Sequence, residues 1–342
     1  MSRLSLISLY LLAFLLLCLS GCGDVPVDRT YALWLEQAPT DSDWNRALPR
    51  PVLVRGGRPH KLQTFTDIDE DTVHTSTASC HHGSRIPEPV PVDVRAFYTD
   101  RELFLRLSWQ DATRDQSMFD WQFDGESWRN TGQLEDGFGL LWDAKGQFNN
   151  FSCSYACHIS DFGVNKANFH ASNKMRMAQE KSWLDLWNWK AARTALLGFA
   201  DDRFLDIEGM HGDTPGELFT ENSRARLNGG FEIKPFAEGD APVYDAERLP
   251  ADEGFRPPGT RAPGYLIKRP VGGRADVSAV TRYENGRWIV TLRRALQTGD
   301  PRDVVFVPGD EMGVAFGLAL MDHSLYEHYA SSTVERLVLL KP

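Results

Sequence analysis

The sequence predicts a mainly β protein: an antiparallel β-sandwich with a helical insertion and long Pro/Gly-rich loops. Short segments at both ends of the chain alternate apolar and polar residues, which is typical of half-buried strands. One central segment repeats its apolar residues at helical spacing, and residues 235–275 hold closely spaced prolines and glycines. Strands before and after an irregular middle favour a sandwich closed by its C-terminal strands.

The strongest strand patterns come in two pairs. Residues 92–98 and 103–109 alternate on either side of a short polar turn, which predicts a hairpin. A second hairpin joins residues 277–283 to 288–292 through Asn285-Gly286, a pair that favours a type I′ turn because both positions need a positive φ. The remaining predicted strands are residues 51–56, 138–142, 312–320 and 334–340.

The middle of the chain predicts different structure. A helix is expected over residues 174–197, with Gly198 as its stop. Its apolar residues recur at i, i+3 and i+4 spacings: Trp183, Leu184, Leu186, Trp187 and Ala191. We interpret residues 235–275 as a long surface excursion, because the pattern before and after it is β.

The N-terminus resembles a bacterial lipoprotein signal. Arg3 precedes an apolar run over residues 4–19, which is too short for a confident transmembrane helix, and small residues lead into Cys22. An ordinary signal peptide or an uncleaved anchor are the alternatives. Gly23, where an aspartate would indicate retention at the inner membrane, favours the outer membrane. The predicted organisation is a signal peptide (1–21), a tether (22–45) and one domain (46–342), lipid-anchored through Cys22 in the bacterial envelope and facing the periplasm.

Charge narrows the class of partner. The formal net charge is −10, and loss of Arg3 with the signal lowers it to −11. Nucleic-acid binding needs clustered Lys and Arg, so we expect no nucleic-acid partner. An acidic surface is compatible with docking of a basic redox protein, where charge mainly raises the association rate.

The chemistry is predicted at residues 153–158, which read Cys-Ser-Tyr-Ala-Cys-His. The attachment motif for c-type haem is C-x-x-C-H, in which the cysteines form thioethers and the histidine ligates iron. Here the spacing is one residue wider. Cys153 and Cys157 are therefore predicted to attach haem c, with His158 as the proximal iron ligand. A disulfide, half of a zinc site, or two packed thiols are the alternatives.

A second, partial motif surrounds Cys80. Once Cys18 is removed with the signal and Cys22 carries lipid, Cys80 is the odd cysteine beside the Cys153–Cys157 pair. Residues 77–81 read Thr-Ala-Ser-Cys-His, a haem motif with threonine in place of the first cysteine. Cys80 and His81 could hold a second haem, approach the first haem or a metal ion, or lie in an exposed loop.

Several segments together resemble the haem-binding domain of the ethylbenzene-dehydrogenase-related family. The most specific are residues 185–193, which read Asp-Leu-Trp-Asn-Trp-Lys-Ala-Ala-Arg, and the Cys-x-x-x-Cys-His motif upstream of them. The other matching segments are residues 94–100, 105–111, 307–310 and 322–328. The resemblance covers about residues 40–342. It implies a β-sandwich that holds one haem and passes electrons, without catalysing substrate chemistry.

The distal iron ligand is less determined. In the namesake subunit the haem is b-type and held by Met and Lys side chains, whereas this chain carries a covalent attachment motif, so those ligands do not transfer. His328, in the C-terminal matching segment, is our first choice for the distal ligand. His323 and Met175 are weaker candidates, and Met177 is a further one.

The resulting hypothesis is a c-type haem-binding electron-transfer lipoprotein with no catalytic residues of its own. Its expected partners are redox proteins and, through the lipid, a membrane. Two alternatives stay open: a haem subunit of a molybdenum dehydrogenase complex, and a non-haem sandwich module that binds a metal ion or a sugar.

Overall fold

Strands dominate the computed structural model of the chain, which describes residues 29–55, 89–147, 177, 181–225, 231–233, 249–250, 257–323, 329–331 and 335–342. The strands of the sandwich are β1 (Arg29–Trp34), β2 (Arg50–Arg55), β3 (Val90–Tyr98), β4 (Glu102–Gln110), β7 (Gly137–Trp142), β8 (Leu184–Lys190), β9 (Asp201–Asp206), β10 (Gly209–Gly212), β17 (Ser278–Tyr283), β18 (Arg287–Ala295), β19 (Val314–Met321), β20 (Tyr329–Ser331) and β21 (Glu335–Leu339). Short strands outside it are β5 (Trp121–Phe123), β6 (Trp128–Asn130), β11 (Phe219–Glu221), β12 (Arg224–Ala225), β13 (Phe231–Ile233), β14 (Leu249–Pro250), β15 (Arg261–Ala262) and β16 (Tyr265–Ile267). Turns of 3₁₀ helix lie at Asp43–Asn45, Ala195–Leu197 and Gly272–Ala275.

The first leaf of the sandwich consists of β17, β18, β4 and β3, all antiparallel. Both predicted hairpins are confirmed here. In the β17–β18 turn, Asn285 has a φ of 53° and Gly286 a φ of 70°, as a type I′ turn requires. Alternate residues of β4, from Leu103 to Trp109, point into the core.

The second leaf consists of β10, β9, β8, β7 and β19, again antiparallel. Every residue of β7 is buried, although its sequence combines bulky aromatic residues with glycines. Phe138, Leu140 and Trp142 face the other leaf, and Gly137, Gly139 and Leu141 face outward. The second leaf therefore has two buried faces.

Aromatic side chains fill the space between the leaves. Trp109 of the first leaf makes edge contacts with Phe138 (ring centroids 6.0 Å apart) and Trp189 (6.1 Å) of the second leaf. Trp288 lies 5.3 Å from Trp189. Because these strands are not neighbours in the sheet, the contacts establish face-to-face packing, and the predicted β-sandwich is confirmed.

One edge of the sandwich is closed by strands that pair with both leaves. β1 pairs in parallel with β21 and with β3, while β21 pairs with β19 of the second leaf. β2 pairs with β3 and with β20, which in turn pairs with β19. The parallel pairs of β1 depart from the antiparallel arrangement that the sequence predicts.

The helix predicted over residues 174–197 is wrong where the structure describes it. Leu184–Lys190 is strand β8, which lies between β7 and β9. Asp185, Trp187 and Trp189 face the core, and Leu184 and Leu186 pack on the outer face, so the segment is apolar on both sides. A strand buried on both faces loses its alternation, and its short apolar run then resembles a helix face. No helix in the described residues is long and apolar enough to span a bilayer.

Part of the predicted tether (22–45) also belongs to the domain. β1 begins at Arg29, and Thr30 and Ala32 are fully buried. Trp44 is buried against Phe97, with ring centroids 5.2 Å apart. Alternate burial of side chains in β1 provides the energy that holds this segment in the sheet.

Candidate functional site

The outer face of the second leaf combines small residues with a lysine and methionines. Gly137 and Gly139 of β7 lie on it, and all residues from Ala315 to Leu320 of β19 are buried. Because side chains alternate along a strand, the residues of this face are Gly137, Gly139, Leu141, Leu184, Leu186, Asn188, Lys190, Asp201, Arg203, Leu205, Met210, Ala315, Gly317, Ala319 and Met321. We call this set the small-residue face.

One row across the small-residue face places two potential metal ligands beside a glycine. Gly137 is in register with Met321 on one side and with Lys190 on the other. A Cβ at position 137 would lie 2.9 Å from the carbonyl oxygen of Trp189 and 3.4 Å from Met321 Cε. Only glycine fits there without displacing the backbone of β8, and this keeps the space between the two side chains open.

Lys190 has an environment that favours its neutral form. Burial lowers the pKa of the Lys190 ammonium to about 7, and the positive charge of Arg193 adds to the effect. Its Nζ donates to Oδ1 of Asn188 and lies 5.4 Å from the centre of the Phe219 ring. An amine with a pKa near 7 is substantially unprotonated at neutral pH, and the neutral amine has a lone pair available to a metal ion.

The segment with the Cys-x-x-x-Cys-His motif is connected to this same region of the fold. It follows Gln147, whose N–H donates to Asp143 Oδ1 at 2.9 Å just beyond the end of β7. On its other side is Met177, whose N–H donates to the carbonyl of Asp206 at 2.8 Å. Met177 is buried with Leu141 and Leu184 on the small-residue face. Both described ends of the segment are therefore fixed to the second leaf.

Most of the predicted site residues lie outside the described residues: Cys22, Cys80, His81, Cys153, Cys157, His158, Met175 and His328. Their roles stay predictions. Met177, a further candidate for the distal ligand, packs on the small-residue face.

His323 is described and lies two residues beyond Met321. Its φ is 45°, and its Nδ1 is 3.4 Å from Oδ1 of Asp115. Its backbone N–H donates to Oδ1 of Asp136 at 3.1 Å. The imidazole, about half exposed, thus lies near an acidic group at one end of the sandwich. Its role as an iron ligand stays a prediction.

A cleft of about 410 Å³ opens beside Ala192 and Arg193. Two of the three arginines that line it, Arg193 and Arg261, are already paired. Arg193 Nε donates to Glu135 Oε1, and Arg261 lies 2.9 Å from Oδ2 of Asp120. The cleft therefore offers an anion no unpaired cation among these two arginines, and we assign it no role.

Sequence reasoning missed Lys190 and Met321. Lys190 lies in the segment 185–193 that resembles the ethylbenzene-dehydrogenase-related family, but the sequence pattern predicts a helix there. In a helix, Lys190 would not share a face with both Leu186 and Asn188, as it does in strand β8. Reading the segment as a strand groups Lys190 with Asn188 and Leu186. The pairing of Gly137 with both Lys190 and Met321 depends on chain-distant strand registers that the sequence does not encode locally.

The solved structures that the chain matches include two carbohydrate-binding proteins. A family 9 carbohydrate binding module from Caldicellulosiruptor kristjanssonii, in complex with cellotriose, is 8% identical, with 92% of this chain and 94% of that chain covered and a TM-score of 0.34. A putative carbohydrate-binding protein from Bacteroides uniformis ATCC 8492 is 8% identical, with 91% and 99% covered and a TM-score of 0.36. No curated protein matches the sequence.

The comparison with protein families gives a direct assignment. Residues 41–330 match the family described as Ethylbenzene dehydrogenase. The match runs from the turn after β1 to β20, and so includes both leaves of the sandwich and the small-residue face. The chain belongs to the ethylbenzene dehydrogenase family.

Proposed function

We propose that this protein is a c-type haem-binding electron-transfer lipoprotein of the bacterial envelope. The observation that carries the proposal is the Cys153–Cys157–His158 motif, in a segment whose described neighbours, Gln147 and Met177, are both fixed to the second leaf. Family membership supports the same function, because the family resemblance implies a haem-holding sandwich.

The β7 and β19 part of the small-residue face fits a flat, largely apolar group, whereas Asp201 and Arg203 make its β9 side charged. Glycine and alanine at positions 137, 139, 317 and 319 leave room above the strands, and leucines at 141 and 186 continue an apolar surface. Burial in apolar surroundings is one of the means by which a protein sets a haem potential. When bound, haem supplies a reversible one-electron change at iron, and the chain supplies attachment, ligation and exclusion of water.

Cys153 and Cys157 would attach the group and His158 would ligate iron from one side. For the other side, His328 stays our first candidate, with His323 and Met175 as weaker ones. The structure adds Lys190, whose pKa near 7 favours the neutral amine, and Met321 in the same row. A thioether ligand raises the potential relative to a second imidazole.

The remaining features complete the proposal. Cys80 and His81 are candidates for a second, singly attached haem. Lipid on Cys22 would hold the protein at the outer membrane, since Gly23 follows the cysteine. The acidic chain would dock basic redox partners, and we assign it no catalytic residues and no nucleic-acid partner.

Haem attachment is tested on protein exported together with a cytochrome c maturation system. An alkaline pyridine haemochrome spectrum of the purified chain should show haem c, and Cys153→Ser with Cys157→Ser should abolish it. Cys80→Ser is the matched control for a cysteine outside the motif. A haem-to-protein ratio near one, unchanged in Cys80→Ser, indicates one site. A spectrum without haem bands would reject the proposal in favour of a non-haem binding module.

Purification from the native host tests the alternative that the chain is a subunit of a molybdenum dehydrogenase. A catalytic subunit that co-purifies at constant ratio would support that alternative. A chain that elutes alone and accepts electrons from small redox proteins supports the proposal.

The second iron ligand is tested by substitution with the haem in place. Lys190→Ala, Met321→Leu, His328→Ala and Met175→Ala should each be compared for the absorption and EPR signals of low-spin iron. Loss of those signals in one variant identifies the ligand. If all four variants keep the low-spin signals, none of these residues is the ligand.

A further inference from the structure

The interior of the sandwich contains a charged group at one end, away from the small-residue face. Arg294 of β18 is fully buried, and three carboxylates surround it. Its Nη2 lies 2.6 Å from Asp303 Oδ2 and 3.4 Å from Asp185 Oδ2, and its Nε lies 3.3 Å from Asp202 Oδ2. The guanidinium also stacks over the Trp187 ring at 5.1 Å. A single buried cation therefore forms ion pairs with three buried carboxylates.

A fourth carboxylate belongs to the same group. Asp213 follows β10, is 9% exposed, and its backbone N–H lies 3.4 Å from the carbonyl of Asp202. Burial raises the pKa of the Asp213 carboxyl to about 8, and the negative charges of Asp303 and Asp185 add to the effect. We call Asp185, Asp202, Asp213 and Asp303 the buried acidic group. With Arg294 included, it carries an excess of negative charge when ionised.

Several oxygens of this group lack donors. Asp185 Oδ1, both oxygens of Asp202 and both oxygens of Asp213 accept no hydrogen bond from any described residue, and the only cation near Asp202 among them is Arg294, 3.3 Å from Oδ2. Asp202 is completely buried, so bulk water does not reach these atoms. A buried carboxylate that is neither neutralised nor hydrogen-bonded costs several kcal/mol, and native structures rarely retain one without an ion, a water or a proton.

The spacing of the carboxylates suits one ion. Ligand oxygens of Asp185, Asp202 and Asp303 all lie within 4.8 Å of one another. Calcium binds oxygens at about 2.4 Å, so opposite ligands of one ion are separated by about 4.8 Å. Carboxylate oxygens are the ligands that hard divalent cations prefer.

We infer that Asp185, Asp202 and Asp303 hold a hard divalent cation, with the charge of Asp213 beside them, and Ca²⁺ is the appropriate probe. The ligands come from β8, β9 and the loop after β18. The ion would join the outer strands of the second leaf to a loop of the first leaf. Its role is structural, because all three ligands are buried.

A second acidic trio in the same chain provides a contrast. Asp111, Asp136 and Asp322 also approach one another closely enough for a shared ion. The buried carboxylate at its centre is saturated with donors: Asp136 Oδ2 accepts from Asp115 N–H and Trp288 Nε1–H at 2.9 Å each, and Oδ1 accepts from His323 N–H. This trio has no need of a cation, and it serves as an internal control.

The competing arrangement is a shared proton. Burial raises the pKa of Asp202 well above its usual range, with the charge of Asp185 adding to the effect. A carboxyl–carboxylate pair of Asp185 and Asp202 could then hold one proton and no metal. The two arrangements differ in composition, so measurement of bound metal separates them.

The test uses the full chain in its haem-loaded form. The protein is dialysed against EDTA, desalted, and given Ca²⁺; calcium per chain is then measured by mass spectrometry of the elements, and thermal unfolding by circular dichroism. We expect one calcium retained per chain and a melting temperature at least about 3 °C higher than in EDTA. The calcium count is independent of haem content, so failure of the haem proposal would not change it.

Asp202→Asn and Asp213→Asn keep the volume of the side chain and remove one charge each. Both should lower the affinity for Ca²⁺ about tenfold or more. Asp322→Asn, the exposed member of the other trio, should leave the calcium-dependent shift unchanged. If Asp202→Asn does not fold, the calcium affinity of Asp213→Asn, at the margin of the group, provides the test. Absence of bound calcium, or an equal shift in wild type and both variants, overturns the inference.

Discussion

Arg274 shows how a single side chain organises its surroundings in this fold. Its guanidinium pairs with both oxygens of the fully buried Asp201, at 2.7 Å each, and donates to the carbonyl of Gly216 at 2.6 Å. A Cβ at Gly212 would lie 2.8 Å from the Arg274 side chain, so the strand has a glycine where the guanidinium crosses it. Arginine suits this position because its fork matches a carboxylate with two parallel bonds.

Replacement of Arg274 should be strongly destabilising. Arg274→Ala removes the two-bond partner of the buried Asp201 and leaves Arg203, whose Nη1 is 3.7 Å away, as a longer ion pair. We expect the free energy of unfolding to fall by about 3 kcal/mol, measured by urea denaturation. Arg293→Ala removes the exposed pair with Glu102 and should cost less than about 1 kcal/mol. Equal losses in the two variants would contradict this assignment.

Asp136 should make stability depend on pH. Burial raises the pKa of its carboxyl to about 7, and the negative charge of Asp111 adds to this, while donors from Asp115, His323 and Trp288 oppose it. In the unfolded chain the pKa is about 3.9. Between these values the folded state holds a proton that the unfolded state has lost. The stabilisation is therefore complete below about pH 4 and is lost as the pH rises through 7.

Asp136→Asn should accordingly flatten the dependence of unfolding free energy on pH between 5 and 8, in protein kept in EDTA. Other buried carboxylates, such as Asp185 and Asp213, contribute equally to wild type and variant, so the difference between the two proteins reports Asp136. Asp310→Asn, at an exposed turn, is the control. A variant with the slope of the wild type would show that Asp136 is ionised throughout this range.

At the scale of elements, sequence patterning predicted strands well where one face is buried. The β3–β4 and β17–β18 hairpins have clear alternation, and Asn285-Gly286 identifies its turn by the positive φ that both residues adopt. β8 was misread because both of its faces are buried, which removes the period of two. β1 was assigned to the tether because its burial depends on partners, β3 and β21, that lie far along the chain.

The candidate site was predictable in part for the same reasons. The haem motif is a local pattern of residues 153–158 and can be recognised without a fold. The Met321–Gly137–Lys190 row joins three strands, and the buried acidic group joins residues up to 118 positions apart, from Asp185 to Asp303. Such groupings result from strand register, which hydrophobic patterning alone does not specify across a sheet.

The small-residue face predicts a selective effect of side-chain volume. A Cβ at Gly139 would make ordinary contacts, 3.5 Å from Leu186 Cδ1 and 3.8 Å from Asn188 Nδ2. Gly139→Leu should therefore fold, as judged by circular dichroism, but occupy the space above the strands. We expect haem per chain to fall several-fold, measured by the pyridine haemochrome spectrum. Val280→Leu, on the exposed face of the first leaf, should leave it unchanged.

Undiminished haem content in Gly139→Leu would mean that the haem does not pack against the small-residue face. Should Gly139→Leu fail to fold, Gly139→Ala and Ala319→Leu test the same surface with a smaller change and from a neighbouring strand. The register pairs Ala319 with Gly139, so both substitutions act on one row.

For the whole molecule, the decisive feature is the edge at which the two leaves meet. β1 and β2 each connect β3 of the first leaf to a C-terminal strand, and both C-terminal strands pair with β19 of the second leaf. Arg50 of β2 reinforces this edge with two bonds of 3.0 Å to Glu335, which is completely buried. Residues from both ends of the chain thus complete one sheet system, which favours cooperative unfolding.

The N-terminal strand should accordingly be required for stability. A chain that begins at Arg29 keeps β1, whereas one that begins at Glu36 lacks it, exposing the backbone edges of β3 and β21 and removing the buried Ala32 from the core. We expect the shorter chain to lose several kcal/mol of unfolding free energy or to remain unfolded, because unpaired edges and lost burial both destabilise the native state. Urea denaturation of both chains, exported with the same cleavable signal, measures the difference. The chain from Arg29 should match one that begins at Gly23. If the chains beginning at Arg29 and Glu36 are equally stable, residues 29–35 act as a tether and do not stabilise the domain.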